Sequence, residues 1–202
     1  MLEREYKWQA HGHADFFKLQ KALQNTGLKL RFARSLITDS YFDNAEGKLS
    51  SEKSALRLRS VNGSYELTLK TSSSIKNGFA VRKEETVPLY AKSHTRASAQ
   101  FFAEVRQRRP DLGRISELFL IKNKRESVFL ENPLFNAEVC FDDFNILAAG
   151  KNQKMYEIEM EFKGGDFEKF AEFAQKLEKE NNLKAVQISK VASAYKLLCS
   201  AQ

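Results

Sequence analysis

Cysteine is scarce in this sequence, and the two present, Cys140 and Cys199, stand far apart with no metal-ligand spacing between them. That argues against a cysteine-based zinc site and makes a reduced, cytoplasmic setting the default expectation. No apolar run reaches the roughly 20 residues of a membrane span, and no secretory leader is visible, so no membrane partner is expected. No repeat of solenoid period and no long linker interrupts the chain, so residues 1–202 read as one domain. Histidine is thin as well. His11 and His13 flank Gly12 with no cysteine or third histidine beside them, which reads as an exposed bend rather than a metal site.

What the chain does have is core material and charge. Hydrophobic residues make up 42% of the 202, and sixteen phenylalanines can fill much of a core. Charged residues make up 29%, and the net charge of +7 favours anionic partners such as phosphates, nucleic acid or an acidic membrane surface. On net charge alone, a soluble basic protein is the plainest reading.

The arrangement of the charges says more. Read as a strand, Leu2 to Trp8 puts Glu3, Glu5 and Lys7 on one face and Leu2, Arg4, Tyr6 and Trp8 on the other. Glu and Lys are poor strand formers, so a charged strand face of mixed sign asks for an explanation. The pattern recurs. Ala55–Val61 and Tyr65–Lys70 flank Asn62-Gly63, the strongest short hairpin signal, and align Arg57 and Arg59 with Glu66 and Lys70. A Ser-rich loop from Ser72 to Gly78 leads to Val81–Val87, where Arg82 and Glu84 share a face and Pro88 ends the strand. Further strands carry Arg125, then Glu138 and Asp142, then Glu157, Glu159 and Glu161 in strict alternation. Helices are expected over residues 14–25 and 94–108, after the N-cap Asp166, and in a short segment ending near Leu198.

One such strand is explained by a sheet with one wet face. Seven or eight are not, because the helices carry apolar stripes and need a surface to cover. If they pack on the apolar strand faces, the charged faces meet in the lumen of a curved or closed sheet. The bases there are Lys7, Arg57, Arg59, Lys70, Arg82, Arg125 and Lys190; the acids are Glu3, Glu5, Glu66, Glu84, Glu138, Asp142, Glu157, Glu159 and Glu161. Grouped carboxylates suit a hard dication such as Mg²⁺ or Mn²⁺, and grouped Arg and Lys suit phosphate oxygens. Both in one lumen imply a metal–polyphosphate ligand, and eight strands give about the right bore for one small molecule.

These residues resemble the CYTH superfamily, the triphosphate tunnel metalloenzymes. The resemblance rests on Glu3-x-Glu5-x-Lys7, Tyr41-Phe42-Asp43, Leu56-Arg57-Leu58-Arg59, Leu67-Thr68-Leu69-Lys70, Arg82-x-Glu84, Arg125, Asp142, Glu157-x-Glu159-x-Glu161 and Ser189-Lys190, in order over nearly the whole chain. It implies an α+β fold, an eight-stranded antiparallel β-barrel with helices outside, and Mg²⁺- or Mn²⁺-dependent chemistry on a triphosphate. By position it places Glu3, Glu5, Asp142, Glu157 and Glu159 on the metal side. Lys7, Arg57, Arg59, Lys70, Arg82, Arg125 and Lys190 would cradle the phosphates, with Lys7, Arg57 and Arg59 as the catalytic candidates. Glu66, Glu84, Glu138 and Glu161 would support those bases. Lys7 could orient the attacking water if a neighbouring charge depresses its pKa. The chain departs from the family at Ala194, where many relatives have Gly after an Arg that is also missing here, and at Thr86, where a carboxylate is frequent.

The leading expectation is hydrolysis of a triphosphate, inorganic triphosphate above all. The alternatives are a class IV-type adenylyl cyclase, a thiamine or nucleoside triphosphatase, and a non-catalytic polyphosphate- or RNA-binding module. Nucleic acid is expected only as an RNA 5′-triphosphate, and a homodimer is left open. The proposed metal carboxylates weigh against a pure polyanion receptor, which would not need them.

Overall fold

The computed structural model describes residues 2–200, with the side chains of 72–74 excepted. In chain order the strands are β1 (Leu2–Ala10), β2 (Lys29–Asn44), β3 (Ala55–Val61), β4 (Ser64–Lys76), β5 (Phe79–Leu89), β6 (Ile115–Glu131), β7 (Phe135–Ala148), β8 (Lys151–Gly165) and β9 (Lys184–Ala185). The helices are α1 (His13–Gln24), α2 (Lys48–Ser51), α3 (His94–Arg108), α4 (Phe167–Asn181) and α5 (Lys190–Cys199). The first eight strands form an antiparallel sheet in the order β5-β4-β3-β2-β6-β7-β8-β1, and β1 also pairs with β5, which closes the barrel. The short β9 extends that seam, pairing with Trp8 and Gln9 where β5 has ended.

Register follows from the alternation. Pairs such as Lys7↔Glu159, Arg125↔Asp142 and Asp39↔Arg59 stand directly opposite one another, so each charged residue shares its face with the charged residue next door. The opposite faces are apolar and take the helices. α1 and α4 lay Phe16, Leu19, Leu23, Phe170, Ala174 and Leu177 against Tyr6, Trp8, Val128, Val139, Phe141, Ile158 and Met160. α3 lays Phe101 and Val105 against Leu56, Leu58 and Leu67. The last helix is placed differently. Ala194 of α5 packs on Tyr41, Phe119, Ile121, Phe144 and Ile146, which share the strand face of the charged residues at one end. α5 therefore lies across that end of the barrel.

Several sequence expectations need correction. The Ser-rich stretch is not a loop: β4 runs through it to Lys76, with a register shift between Thr71 and Ser74, and only Asn77-Gly78 turns the chain. Ladder pairing with β5 on both sides of that irregularity, Thr71 with Lys83 and Ser74 with Val81, carries the strand through the serines despite their turn propensity. Pro88 does not end β5, which continues to Leu89 opposite Tyr65. β1 pairs with β5 only as far as Lys83, so at Pro88 one side of the strand is unpaired and a missing N–H costs little. The segment after Gly113 is one strand of 17 residues. α2, four residues long, and β9, two, are too short for periodicity to reveal.

Two Asn-Gly turns build the hairpins β3–β4 and β4–β5, with both residues of each at positive φ, the type I′ requirement. They differ in surroundings. A Cβ on Gly63 (φ +88) would meet open space, whereas on Gly78 (φ +76) it would lie 2.8 Å from Ala185 Cβ and 2.9 Å from the Lys7 carbonyl. The Gly78 carbonyl also accepts the Lys7 N–H at 2.8 Å, so this turn locks the barrel seam. Gly63→Ala should therefore cost about 1–2 kcal/mol, the left-handed backbone penalty. Gly78→Ala should cost clearly more, because the seam must also shift. Urea unfolding of both variants checks this, and equal losses would contradict the account.

Candidate functional site

The inward face of the barrel lines a cavity of about 300 Å³. Its wall includes the predicted residues Glu3, Lys7, Arg57, Arg59, Glu66, Lys70, Arg82, Glu84, Arg125, Glu138, Glu159, Glu161 and Lys190. Glu5, Asp142 and Glu157 lie deeper, buried in the ion-pair network of the same face. Alternation along each strand puts them there: Glu3, Glu5 and Lys7 from β1, Arg57 and Arg59 from β3, Glu157, Glu159 and Glu161 from β8. Lys190 arrives from the first turn of α5, whose N-cap Ser189 accepts the Ala192 N–H.

Three ion-pair groups organise the charges. In the first, Arg125 grips Asp142 with Nε–Oδ1 at 2.7 Å and Nη2–Oδ2 at 2.6 Å, and reaches Glu159 Oε2 at 2.7 Å. Lys190 Nζ meets Asp142 at 2.6 Å, Glu157 at 2.8 Å and Glu159 at 2.9 Å. Lys7 Nζ pairs with Glu159 and lies 3.0 Å from Glu5 and 3.8 Å from Glu157. In the second, Arg59 makes a two-pronged contact with Asp39 at 2.7 Å for each bond. Arg57 lies 3.6 Å from Asp39 and donates to Thr68 Oγ1 at 3.0 Å, with Glu66 3.8 Å away. In the third, Arg82 joins Glu3, Glu84 at 3.0 Å and Glu5 at 2.7 Å, while Lys70 pairs with Glu84. Glu5 thus links the first group to the third.

The sequence reading missed Asp39, Lys163 and Asn123. Asp39 stands two residues before Tyr41 on the same strand face, so alternation from Tyr41 would have found it. Lys163 continues the Glu157-Glu159-Glu161 face and bridges Glu161 at 2.6 Å and Glu138 at 3.2 Å. In contrast, Asp43 of the Tyr41-Phe42-Asp43 motif has a structural role. Its carboxylate accepts the N–H groups of Leu49 and Ser50 at 2.9 Å each and so anchors α2.

Proton affinities follow the contacts. Burial opposes the charge on Lys7, but Glu159, Glu5 and Glu157 together hold its pKa well above the ordinary lysine range. The expected depression is therefore not met, and Lys7 is a fixed cation. Lys70 goes the other way: burial first, then Arg57 and Arg82, push it down to about 7 against the pull of Glu3 and Glu84. Asp142 resists burial because Arg125 and Lys190 hold it at about 2. Glu157 and Glu159 divide their burden unequally. Burial raises Glu157 to about 7, while Lys190, Lys7 and Arg125 keep Glu159 well below the carboxylate range.

A divalent cation fits the donor chemistry. The carboxylates supply only hard oxygens, and the buried Glu5 Oε1 and Glu157 Oε1 accept no hydrogen bond of good geometry, although Arg82 and Lys7 lie 2.7 and 3.0 Å from the first and Lys190 2.8 Å from the second. Both Asp142 oxygens, by contrast, are taken by Arg125 and Lys190. Among the described residues, no three acidic, His or Cys side chains form a ready-made cage. No helix of the described residues is long and apolar enough to cross a membrane.

The CYTH domain family matches residues 1–195 of this chain. An inorganic triphosphatase of Haemophilus influenzae is 28% identical over 159 residues, which is 79% of this chain and 45% of that protein. The chain thus spans about half the length of that relative. A Hippeastrum protein described as an adenylyl cyclase candidate with a dominant triphosphatase activity superposes with a TM-score of 0.70 at 19% identity, over 97% of this chain and 96% of that one. The triphosphatase of the Mimivirus capping enzyme superposes at 0.54 with 15% identity, over 87% and 88% of the two chains.

Removing one base from the first ion-pair group should strand buried carboxylates. Lys190→Met is expected to lose about 3–5 kcal/mol of stability at pH 8, the cost of an uncompensated buried charge. The loss should shrink as pH falls toward 5, because protons then neutralise the carboxylates Lys190 had faced. Wild type should show the opposite trend in acid. The stability from Asp142, present above its ordinary pKa of 3.8, is lost as pH falls toward its folded value of about 2. Unfolding free energies of both proteins across this range test the signs.

Proposed function

The chain belongs to the CYTH domain family, and from that premise we propose that it hydrolyses a terminal phosphoanhydride of a triphosphate, with inorganic triphosphate as substrate and Mg²⁺ or Mn²⁺ as cofactor. Residues 1–202 act as one domain in this reading. The observation that carries it is the tunnel itself: bases capable of holding a phosphate chain face carboxylates capable of holding a dication, inside one closed sheet. The inorganic triphosphatase of Haemophilus influenzae lends support through its sequence similarity.

Binding falls to Lys7, Arg57, Arg59, Lys70, Arg82, Arg125 and Lys190. Their guanidinium and ammonium groups replace the hydration of the phosphate oxygens and fix the chain for in-line attack. Asp39, Glu66, Glu84, Glu138 and Glu161 keep those bases aimed inward before substrate arrives. Lys7, Arg57 and Arg59 offset charge that builds on the transferring phosphoryl group. Lys7, a permanent cation, acts by position rather than as a base. Lys70, pushed down to about 7 by burial and by Arg57 and Arg82, is paired with Glu84 and adds its ammonium to the phosphate cradle. Glu3, Glu5, Glu157 and Glu159 would hold the divalent ion, with Asp142 clamped behind them. Such an ion supplies charge neutralisation to phosphate oxygens and lowers the pKa of a bound water.

Phosphate release should be fast on inorganic triphosphate with Mg²⁺ or Mn²⁺ and should stop when a chelator removes the metal. Glu5→Gln should lower kcat/KM by about 100-fold or more, the scale of losing one transition-state contact. Lys7→Met turning over at an unchanged kcat would remove Lys7 from catalysis. Cyclic AMP and pyrophosphate made from ATP would replace the hydrolase with a cyclase, and tight metal-free binding with no turnover would leave a polyanion receptor.

A further inference from the structure

The tunnel wall holds a polar side chain that the ion-pair network leaves out. Asn123, on β6, is only 7% exposed and lines the cavity, and among the described residues its Oδ1 has no hydrogen-bond partner. The register sets it opposite Ile37 on β2 and Phe144 on β7, and Ile121 and Arg125 stand two residues away on the same strand face. Three of these four neighbours are hydrocarbon, and the fourth is a base of the proposed phosphate cradle. A buried amide without a partner lowers stability, and an apolar residue of similar size would suit the three better. Resting on the hydrolytic reading of the tunnel, we propose that Asn123 orients the attacking water beside a phosphate held by Arg125.

The chemistry of the wall gives the first argument. Its arginines and lysines can only donate hydrogen bonds, and its ionised carboxylates only accept them and repel phosphate; a carboxamide does both without net charge. Elimination gives the second. The other uncharged polar side chains of the wall are engaged: Ser189 accepts the Ala192 N–H, Thr86 lies 3.4 Å from Thr68, and Tyr41 meets Arg57. Spacing gives the third. Residues two apart on one strand face stand about 7 Å apart, so a water fits between the Asn123 amide and a phosphate gripped by Arg125. A glutamine carboxamide orients the attacking water in GTPases in the same way. In the step, the water oxygen bonds to the terminal phosphorus while the anhydride P–O bond breaks, and pyrophosphate leaves with the electron pair. One water proton stays on the new P–OH, and the other passes to a phosphate oxygen. Asn123 accepts a hydrogen bond from the water and takes no proton.

Asn123→Val and Asn123→Thr test this as a pair, because the two side chains share a shape that suits a strand and differ only in the hydroxyl, which can both donate and accept. Steady-state hydrolysis of inorganic triphosphate with Mg²⁺ is compared with thermal melting of the same proteins. Asn123→Val should lower kcat about 100-fold with KM within about threefold, since the lost contact is to water rather than to the phosphate chain. Asn123→Thr should keep kcat within about 10-fold of wild type. Asn123→Val should melt no lower than wild type, because the unpaired amide is gone, and its lost rate is then not a lost fold. Equal kcat in the two variants, a raised KM at unchanged kcat, or a lowered melting temperature in Asn123→Val would overturn the assignment. A wild type that turns over no triphosphate would instead overturn the hydrolytic reading, and the water assignment with it, so the two failures are told apart by the wild-type arm.

Discussion

Charges enclosed by a closed sheet must compensate one another. An open antiparallel sheet can leave a charged face to water, but closure of β1 on β5 puts that face inside, where solvation is poor and each ion needs a partner. The strand register meets this need directly, since Lys7 stands opposite Glu159, Arg125 opposite Asp142, Arg59 opposite Asp39 and Lys70 opposite Glu84. A one-residue slip of any strand would both strand these ions outside and turn apolar residues inward. The barrel therefore inverts the usual rule for specifying register. Ion pairing fixes the interior, and apolar packing under α1, α3 and α4 fixes the exterior.

The same pairing prepares the site. The arginines are held on the inward face by carboxylates: Asp39 for Arg59, Asp142 for Arg125, Glu3 and Glu84 for Arg82. In the proposed function a phosphate chain would compete for guanidinium groups already aimed inward, and less side-chain entropy would be lost on binding. The contacts are not all equal. Asp142, fully buried with both oxygens occupied, acts as a fixed anchor, whereas Glu5 Oε1 and Glu157 Oε1 face Arg82 and Lys190 in ion pairs without a well-formed hydrogen bond.

Much of this was written in the alternation of charge. Period two alone assigned Glu3, Arg57, Arg82 and Glu159 to one common face, because a closed sheet has only two faces and the helices claimed the other. The family resemblance then supplied the roles, and the fold agrees with it. What escaped lacked a local signal or conflicted with one. Ser72 to Gly78 read as a loop because serine favours turns, yet pairing with β5 on both sides of a register shift carries β4 on to Lys76. Asp39 has no charged neighbour in alternation, so only its place two residues before Tyr41 on the same strand face marked it. The position of α5 was equally hidden. Its apolar stripe announces a packed helix but not that the surface it covers is the end of the tunnel.

That placement makes the two ends of the tunnel unlike. At one end Phe144, Ile146 and Phe119 replace ions with hydrocarbon, and Ala194 closes onto them, fully buried, where any larger side chain would have to displace an aromatic ring. Lys190, the first residue of the same helix, projects its ammonium into the ion-pair network, so the closing element also supplies a base. The following turns of α5 face a pocket beside the tunnel through Ala192 and Tyr195. One ten-residue helix thus touches the closed end, the ion-pair network and the pocket beside it. Sequence changes along α5 can reshape that end of the barrel without touching the strands whose register holds the charges.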